Sequence, residues 1–337
     1  MARRVFGPAS WPKPDIIAPE RFAPVIPPVM LPGQLDRIIG TDEHSTLDFH
    51  RISVLERESE HAPLLRWTIR HALVGRDGFV NSRTSEHYGD GIGRAALRAP
   101  LRRVDELRYC HDYVTWRYFG HWLMDAIPKA LIDEDRGELW MPHRPEWMHA
   151  DDFVAALGLR PLQDELVYAD RLYVYQDFAQ SPHKSARYAK MQSRLHAAFG
   201  SVPGTDRVYL MRGATGVARP VANEDALVNR LSALGWKICD VAKMPASDLH
   251  RAMHAAKVVV SIEGSHINHA HMALDPGSVL VFLTPADRFS TNQLGRCRAN
   301  GVVPGIVVLT GNARSGYHAD PDEILRTVDL ALAAPAA

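Results

Sequence analysis

Three histidines, His266, His269 and His271, fall within six residues of the stretch "VVVSIEGSHINHAHMALDPGSVLVFLTP" (258–285), directly after a hydrophobic run and a Glu-Gly-Ser turn. Glu263, His266 and His269 carry metal-ligating groups, and a zinc site needs three or four of them converging at about 2 Å. The same turn can do different chemistry. Gly264 lets another group come close to the backbone, and Ser265 can cap a helix that starts there, so several amide N–H groups point to one place. A helix start of this kind receives phosphate. Two arginines favour the anion. Arg212 directly follows the apolar run "RVYLM", and Arg219 comes seven residues later; planar guanidinium groups pair well with phosphate oxygens. The expected site is therefore Arg212, Arg219, Glu263, Gly264, Ser265, His266 and His269 around an anion, without a metal. His266 is expected to donate a hydrogen bond to a phosphate or a sugar hydroxyl. His271 and, in its other reading, His269 are satisfied helix or core residues.

A second pair lies in "YFGHWLMDAIPKAL". His121 and Asp125 are four residues apart and project from one side of a helix, where an imidazole and a carboxylate tune each other and can take a proton from an attacking hydroxyl. Pro128 withdraws the hydrogen bond to the carbonyl of Met124 and predicts a kink just after Asp125. The opposing reading is a structural pair that pins the kinked helix.

These residues need elements to hold them. Phe119, Trp122, Leu123, Ala126, Ile127 and Ala130 recur at helical spacing, with His121, Asp125 and Lys129 on the opposite stripe. From residue 207 onward the chain alternates strands and helices. The strands are expected at 207–211, 236–241, 258–263, 278–285 and 305–311; helices are capped by Asn223, Ser247 and Asp320, with Glu224 in the first turn after Asn223. Five short apolar strands separated by helices predict a parallel sheet covered on both faces, a Rossmann-like domain that binds ligands at the carboxyl ends of its strands. Before that, "LLRWTIRHALVGRDGFVNS" predicts a β-hairpin over residues 64–80, peripheral to a first domain. Residues 176–190 are polar and broken by Pro182, which suggests a crossing between domains. Eight prolines within residues 1–33 predict an extended arm lying over the surface or reaching towards a second subunit.

The bulk composition narrows the class. A chain of 337 residues suggests two domains of roughly 150 residues each: 34–185 and 186–337, after the arm at 1–33. Lys plus Arg equals Asp plus Glu at 39 each, so no general field attracts nucleic acid or an anionic membrane, and any anion site is local. Three scattered cysteines, Cys110, Cys239 and Cys297, form neither a disulfide framework nor a metal pair and fit a reducing cytoplasm. No signal-peptide core and no membrane-spanning run is expected.

In this order, "YFGHWLMDAIPKAL", "RVYLMRG…ARPVANED" and "VVVSIEGSHINHAHMALDPGSVLVFLTP" resemble the family 61 glycosyltransferases, including bacterial members linked to capsular polysaccharide synthesis. The resemblance covers residues 118–288 and rests on His121, Asp125, Pro128, Arg212, Arg219, Asn223, Glu224, Gly264 and Ser265. It implies a GT-B architecture, two Rossmann-like domains with parallel sheets facing a cleft, and inverting transfer from a nucleoside diphosphate sugar, UDP-linked, to a glycan or glycoconjugate. The C-terminal domain would take the donor and the N-terminal domain the acceptor, with basic side chains and a helix N-terminus neutralising the diphosphate and no obligatory metal. His121 and Asp125 would be the catalytic pair. The loop departs from the family pattern: Glu263 stands for a leading His, His266 for a small residue, and Asn268 and His269 are in exchanged order. Peripheral membrane contact and self-association through the arm are left open. Two other readings are a sugar-nucleotide-binding scaffold without turnover and a metal hydrolase built on His266.

Overall fold

The computed structural model describes residues 11–334 apart from 43–44, 89–91, 93–97, 99, 142–145, 201–204 and 214–218. The chain forms two compact units, one made of Met1–Arg21 and Glu60–Arg187, the other of Phe22–Ser59 and Tyr188–Ala337. Its strands in chain order are β1 (Asp15–Ala18), β2 (Arg21–Pro24), β3 (Glu58–His61), β4 (Leu64–Gly75), β5 (Gly78–Val80), β6 (Ser85–His87), β7 (Leu101–Tyr109), β8 (Glu138–Trp140) and β9 (Leu166–Gln176). They continue with β10 (Arg207–Met211), β11 (Lys237–Asp240), β12 (Val258–Ile262), β13 (Val279–Pro285), β14 (Val303–Asn312) and β15 (Gly316–His318).

In the second unit the strands run β11-β10-β12-β13-β14-β15. The first five are parallel and β15 adds antiparallel to β14. The parallel part has the doubly wound order 2-1-3-4-5, whose direction reverses between β10 and β12. Ligands bind such sheets outside the carboxyl ends at that reversal, and Arg212 and Gly264 follow these two strands. Both faces are covered. Val259, Leu280, Phe282, Ile306 and Val308 pack against Leu249, Met253, Ile267 and Cys297 on one side. Val258, Val260, Val281, Leu283 and Val307 pack against Leu227, Leu231, Ile324 and Val328 on the other. Every residue of β12 and β13 is buried, and each fully buried aliphatic side chain contributes roughly 1.5–3 kcal/mol. The hairpin strand β15 was not foreseen; it turns on Asn312, whose side-chain oxygen accepts from the N–H groups of Arg314 and Ser315 at 2.9 and 3.0 Å.

The first unit departs from the expected parallel sheet. Its strands run β6-β5-β4-β9-β7-β8, with β1 on β4. Only β9-β7 and β7-β8 are parallel; β4-β9, β4-β5 and β5-β6 are antiparallel. The hairpin over residues 64–80 forms, but it is not peripheral: β4 lies inside the sheet because it pairs along its length with β9. The proline-rich segment is tied down over its described part. Residues 15–18 are the strand on β4, and Val29, held extended after Pro27 and Pro28, exchanges backbone bonds of 2.8 and 2.9 Å with Pro304 and Ile306; residues 1–10 lie outside the described residues.

Three helix assignments change. Residues 182–190 begin the helix Pro182–Phe199, and the chain passes from one unit to the other within it, at Arg187 and Tyr188, inside the crossing expected over 176–190; Pro182 is tolerated because in a first helical turn its missing N–H has no partner to lose. The helix expected from Ser247 starts at Ala246 after Pro245. Asn223 precedes the helix Glu224–Ala233 but does not cap it with its side chain; its amide is occupied by Ala319, donating to the carbonyl at 2.7 Å and accepting from the N–H at 3.0 Å. The Asp320 cap forms as expected, accepting from Asp322 N at 2.9 Å.

Candidate functional site

The carboxyl ends of β10 and β12 bring together Arg212, Arg219, Glu263, Gly264 and His266. Arg212 Nη1 donates to the main-chain oxygen of Glu263 at 3.2 Å, and Arg219 Nη1 donates to the same oxygen. Arg219 also pairs with the Glu263 carboxylate at 2.8 Å, both side chains being 10% exposed or less. Glu263 therefore holds the two guanidinium groups in place and offsets one of their charges. Gly264 has extended backbone, φ 160° and ψ 174°. A side chain there would meet Arg219 Nη1 and His266 Nδ1 at 3.0 Å, with Arg212 Nη1 closer still. Absence of a Cβ thus lets two guanidinium groups and an imidazole close on the Gly264 backbone.

Burial first, then Arg219 and Arg288, push the Arg212 pKa down to about 10, against the pull of Glu263. His266 is held well below the usual histidine range by burial and by Arg212, His269 and Arg219, so its ring is neutral. Its tautomer follows from Ser261, which the sequence reading treated as part of an apolar run. Ser261 Oγ donates to Leu210 O at 2.7 Å, so it accepts from His266 Nε2–H at 2.8 Å. That leaves Nδ1 as an acceptor, buried and without a hydrogen-bond partner, which can receive a ligand hydroxyl. The expected donation to phosphate requires a further proton.

Two expected features of the turn differ. Ser265 caps nothing with its side chain; the cap position is Gly264, followed by a single 3-10 turn, Ser265–Ile267, and the short helix Asn268–Ala273. The positive end of such a short helix is weak, so the arginines carry the charge. The histidines also separate: His271 Nε2 donates to Gln293 Oε1 at 3.1 Å, His269 is buried, and among the described residues Glu263, His266 and His269 form no cluster of metal-ligand spacing. Glu224 accepts from the Tyr209 hydroxyl at 3.0 Å.

His121 and Asp125 sit in the first unit. The kink expected at Pro128 takes the form of a π-helical turn, Trp122–Ala126, in which the Ile127 N–H reaches back five residues to Trp122 O. Losing the donor at Pro128 breaks the regular ladder, and π turns of this kind recur at functional sites. His121 Nδ1 lies 2.7 Å from Asp125 Oδ2, the imidazole side chain being 34% exposed and the carboxylate 5%. The other oxygen of Asp125 accepts from Lys184 Nζ at 2.8 Å. Lys184 also lies 3.8 Å from Asp177, which pairs with Arg187 at 2.6 Å. These charges cancel in pairs, as buried ion pairs must to be tolerated.

The stripe read as polar therefore faces inward. Lys129 is 1% exposed and pairs with Asp112. Burial alone would lower the Lys129 pKa, but the charge and hydrogen bond of Asp112 hold it above the usual lysine range. Asp112 also caps the helix Tyr113–Arg117, accepting from Val114 N and Thr115 N at 3.1 and 3.0 Å. Lys184, Asp177 and Asp112 were missed by sequence reasoning; Asp177 and Asp112 follow the ends of the parallel neighbours β9 and β7, which is the signal that could have found them.

Residues 119–281, just under half of the chain, match the family model described as Glycosyltransferase 61. No curated protein matches the chain. Among the described residues, no helix is long and apolar enough to cross a membrane.

Proposed function

We propose that the protein is an inverting glycosyltransferase that moves a sugar from a uridine diphosphate donor to a hydroxyl of a glycan or glycoconjugate. The match of residues 119–281 to a glycosyltransferase family supports sugar transfer as the reaction. The observation that carries the donor class is the cluster at Gly264, where Arg212, Arg219 and neutral His266 converge. Two guanidinium groups and one hydrogen-bond acceptor suit a diphosphate with a hydroxyl beside it.

In this reading the acceptor oxygen attacks the anomeric carbon as the bond from that carbon to the diphosphate oxygen breaks, its electron pair leaving with the diphosphate. Arg212 and Arg219 stabilise the charge that develops there. His121 takes the acceptor proton. It is the more exposed of the pair, whereas Asp125 is buried and engaged by Lys184. Asp125 accepts from Nδ1–H and so fixes the tautomer that leaves Nε2 as the base, the role a buried carboxylate plays beside a catalytic histidine.

A thermal-shift screen against UDP, GDP, TDP and CMP and their sugars tests the donor class, since a ligand that binds only the native state raises its apparent stability. The uridine ligands are expected to raise Tm in the wild type and not in Arg212→Ala. His121→Ala is expected to keep that shift and lose about 10²- to 10⁴-fold in kcat for release of the nucleotide from its sugar. An undiminished shift in Arg212→Ala removes the cluster at Gly264 from the reading, and nucleotide binding without any sugar release defeats the transferase.

A further inference from the structure

The opposite edge of the second sheet carries a cluster that sugar transfer does not use. His254 closes the helix Ala246–Met253, four residues before β12, and Asp275 lies four residues before β13. His196 is in the last turn of the helix Pro182–Phe199. One ligand atom from each of His196, His254 and Asp275 lies within 4.8 Å of the other two. The His196 and His254 rings are 4.0 Å apart between centroids. His250, one turn before His254, places Nε2 at 2.7 Å from His196 Nδ1, so Nε2 is the nitrogen through which His196 can meet a ligand. His254 Nδ1 is buried without a hydrogen-bond partner, which is uncommon for a polar atom out of reach of water.

We propose that His196, His254 and Asp275 bind one zinc ion, with His250 orienting His196 from behind. Two imidazoles and one carboxylate form a borderline donor set that suits zinc, whereas magnesium and calcium select all-oxygen sites. A ligating histidine ordinarily has its second ring nitrogen hydrogen-bonded, which fixes the ring and its tautomer; His250 supplies that contact. Ligand atoms of a tetrahedral zinc site stand about 3.3 Å apart, so the three side chains need close by no more than about 1.5 Å. Asp275 is exposed, which leaves the fourth position to water. The site joins the end of one helix, the end of a second and the loop before β13. Five residues of β12 separate it from Gly264, about 15 Å at strand rise. The ion therefore clamps the sheet's amino edge and takes no part in the transfer.

The test uses the full-length chain without a histidine tag, stripped with a chelator and titrated with zinc chloride against a chromophoric zinc indicator. One equivalent per chain is expected, with Tm raised by about 5 °C at a hundredfold excess over Kd. Asp275→Asn, an exposed change that leaves packing intact, and His254→Gln are each expected to weaken binding at least tenfold, with unchanged circular dichroism. His266→Gln and Arg212→Ala are expected to keep the equivalent, which separates failure of this site from failure of the donor site. A wild-type chain that takes up no zinc overturns the proposal. So does an equivalent retained in both Asp275→Asn and His254→Gln.

Discussion

Lys184 Nζ lies 2.8 Å from Asp125 Oδ1, and both side chains are almost wholly buried. The same carboxylate holds His121 through its other oxygen at 2.7 Å, so Asp125 bridges an ammonium it must neutralise and an imidazole it orients. Lys184 thus offsets charge on Asp125 while His121 stays neutral, the state in which an imidazole can serve as a base.

Lys184→Met is accordingly expected to destabilise the fold by about 3–5 kcal/mol, the usual consequence of leaving one buried charge uncompensated. Urea unfolding followed by tryptophan fluorescence checks it, the buried Trp122 being on the neighbouring π turn. Lys184→Met combined with Asp125→Leu, which removes both charges, is expected to recover most of that loss. Equal loss in the single and double variants would show that packing, and not charge, matters at this position.

How far the sequence discloses this arrangement depends on the range over which each feature is determined. The second sheet was legible because strands buried on both faces are apolar almost throughout: "VVVSI" and "VLVFLTP" hold Ser261 and Thr284 as their only polar side chains, and both are buried. The meeting of Arg212 with Gly264 was legible for a related reason, since both lie within two residues of the ends of β10 and β12. The first sheet was not, because β4 pairs with β9 a hundred residues away, and nothing local in either strand specifies that partner. Lys184 was hidden by Pro182, whose meaning reverses between a helix interior and a first turn. Asn223 has the right side chain for a cap, yet it bonds Ala319, 96 residues on. Ser261 is a small polar residue within an apolar run, and its role appears only once Leu210 and His266 are found on either side of it.

Gly264→Ala tests this cluster with a single methyl group. The backbone there is extended, a conformation open to any residue, so the cost falls on the side chains the methyl would meet: Arg212, Arg219 and His266. Arg212 and Arg219 are tethered to the Glu263 carbonyl and cannot withdraw without losing those bonds. The variant is expected to fold, with Tm within a few degrees of wild type, and to bind uridine diphosphate at least tenfold more weakly by calorimetry. Unchanged affinity would mean that the diphosphate lies elsewhere.

The buried histidines set a pH dependence with a definite sign. Burial, then the charge of Arg296, pushes His271 down to about 3 in the folded protein, against a weaker upward pull from Gln293; in the unfolded chain the ring titrates near its ordinary value of about 6.5. Between those values the unfolded state binds the extra proton, so stability rises with pH across that window. The contribution of neutral His271 is complete above about pH 6.5 and is lost as the solution is acidified towards pH 3. From pH 7 to pH 5 the loss amounts to about 2 kcal/mol for this one ring. His271→Gln has no proton to gain, so its unfolding free energy is expected to be flatter by that amount over the same interval. Urea titrations at pH 7, 6 and 5 measure the difference, and parallel pH profiles for the two proteins would mean that His271 is already protonated in the folded state or reaches water there.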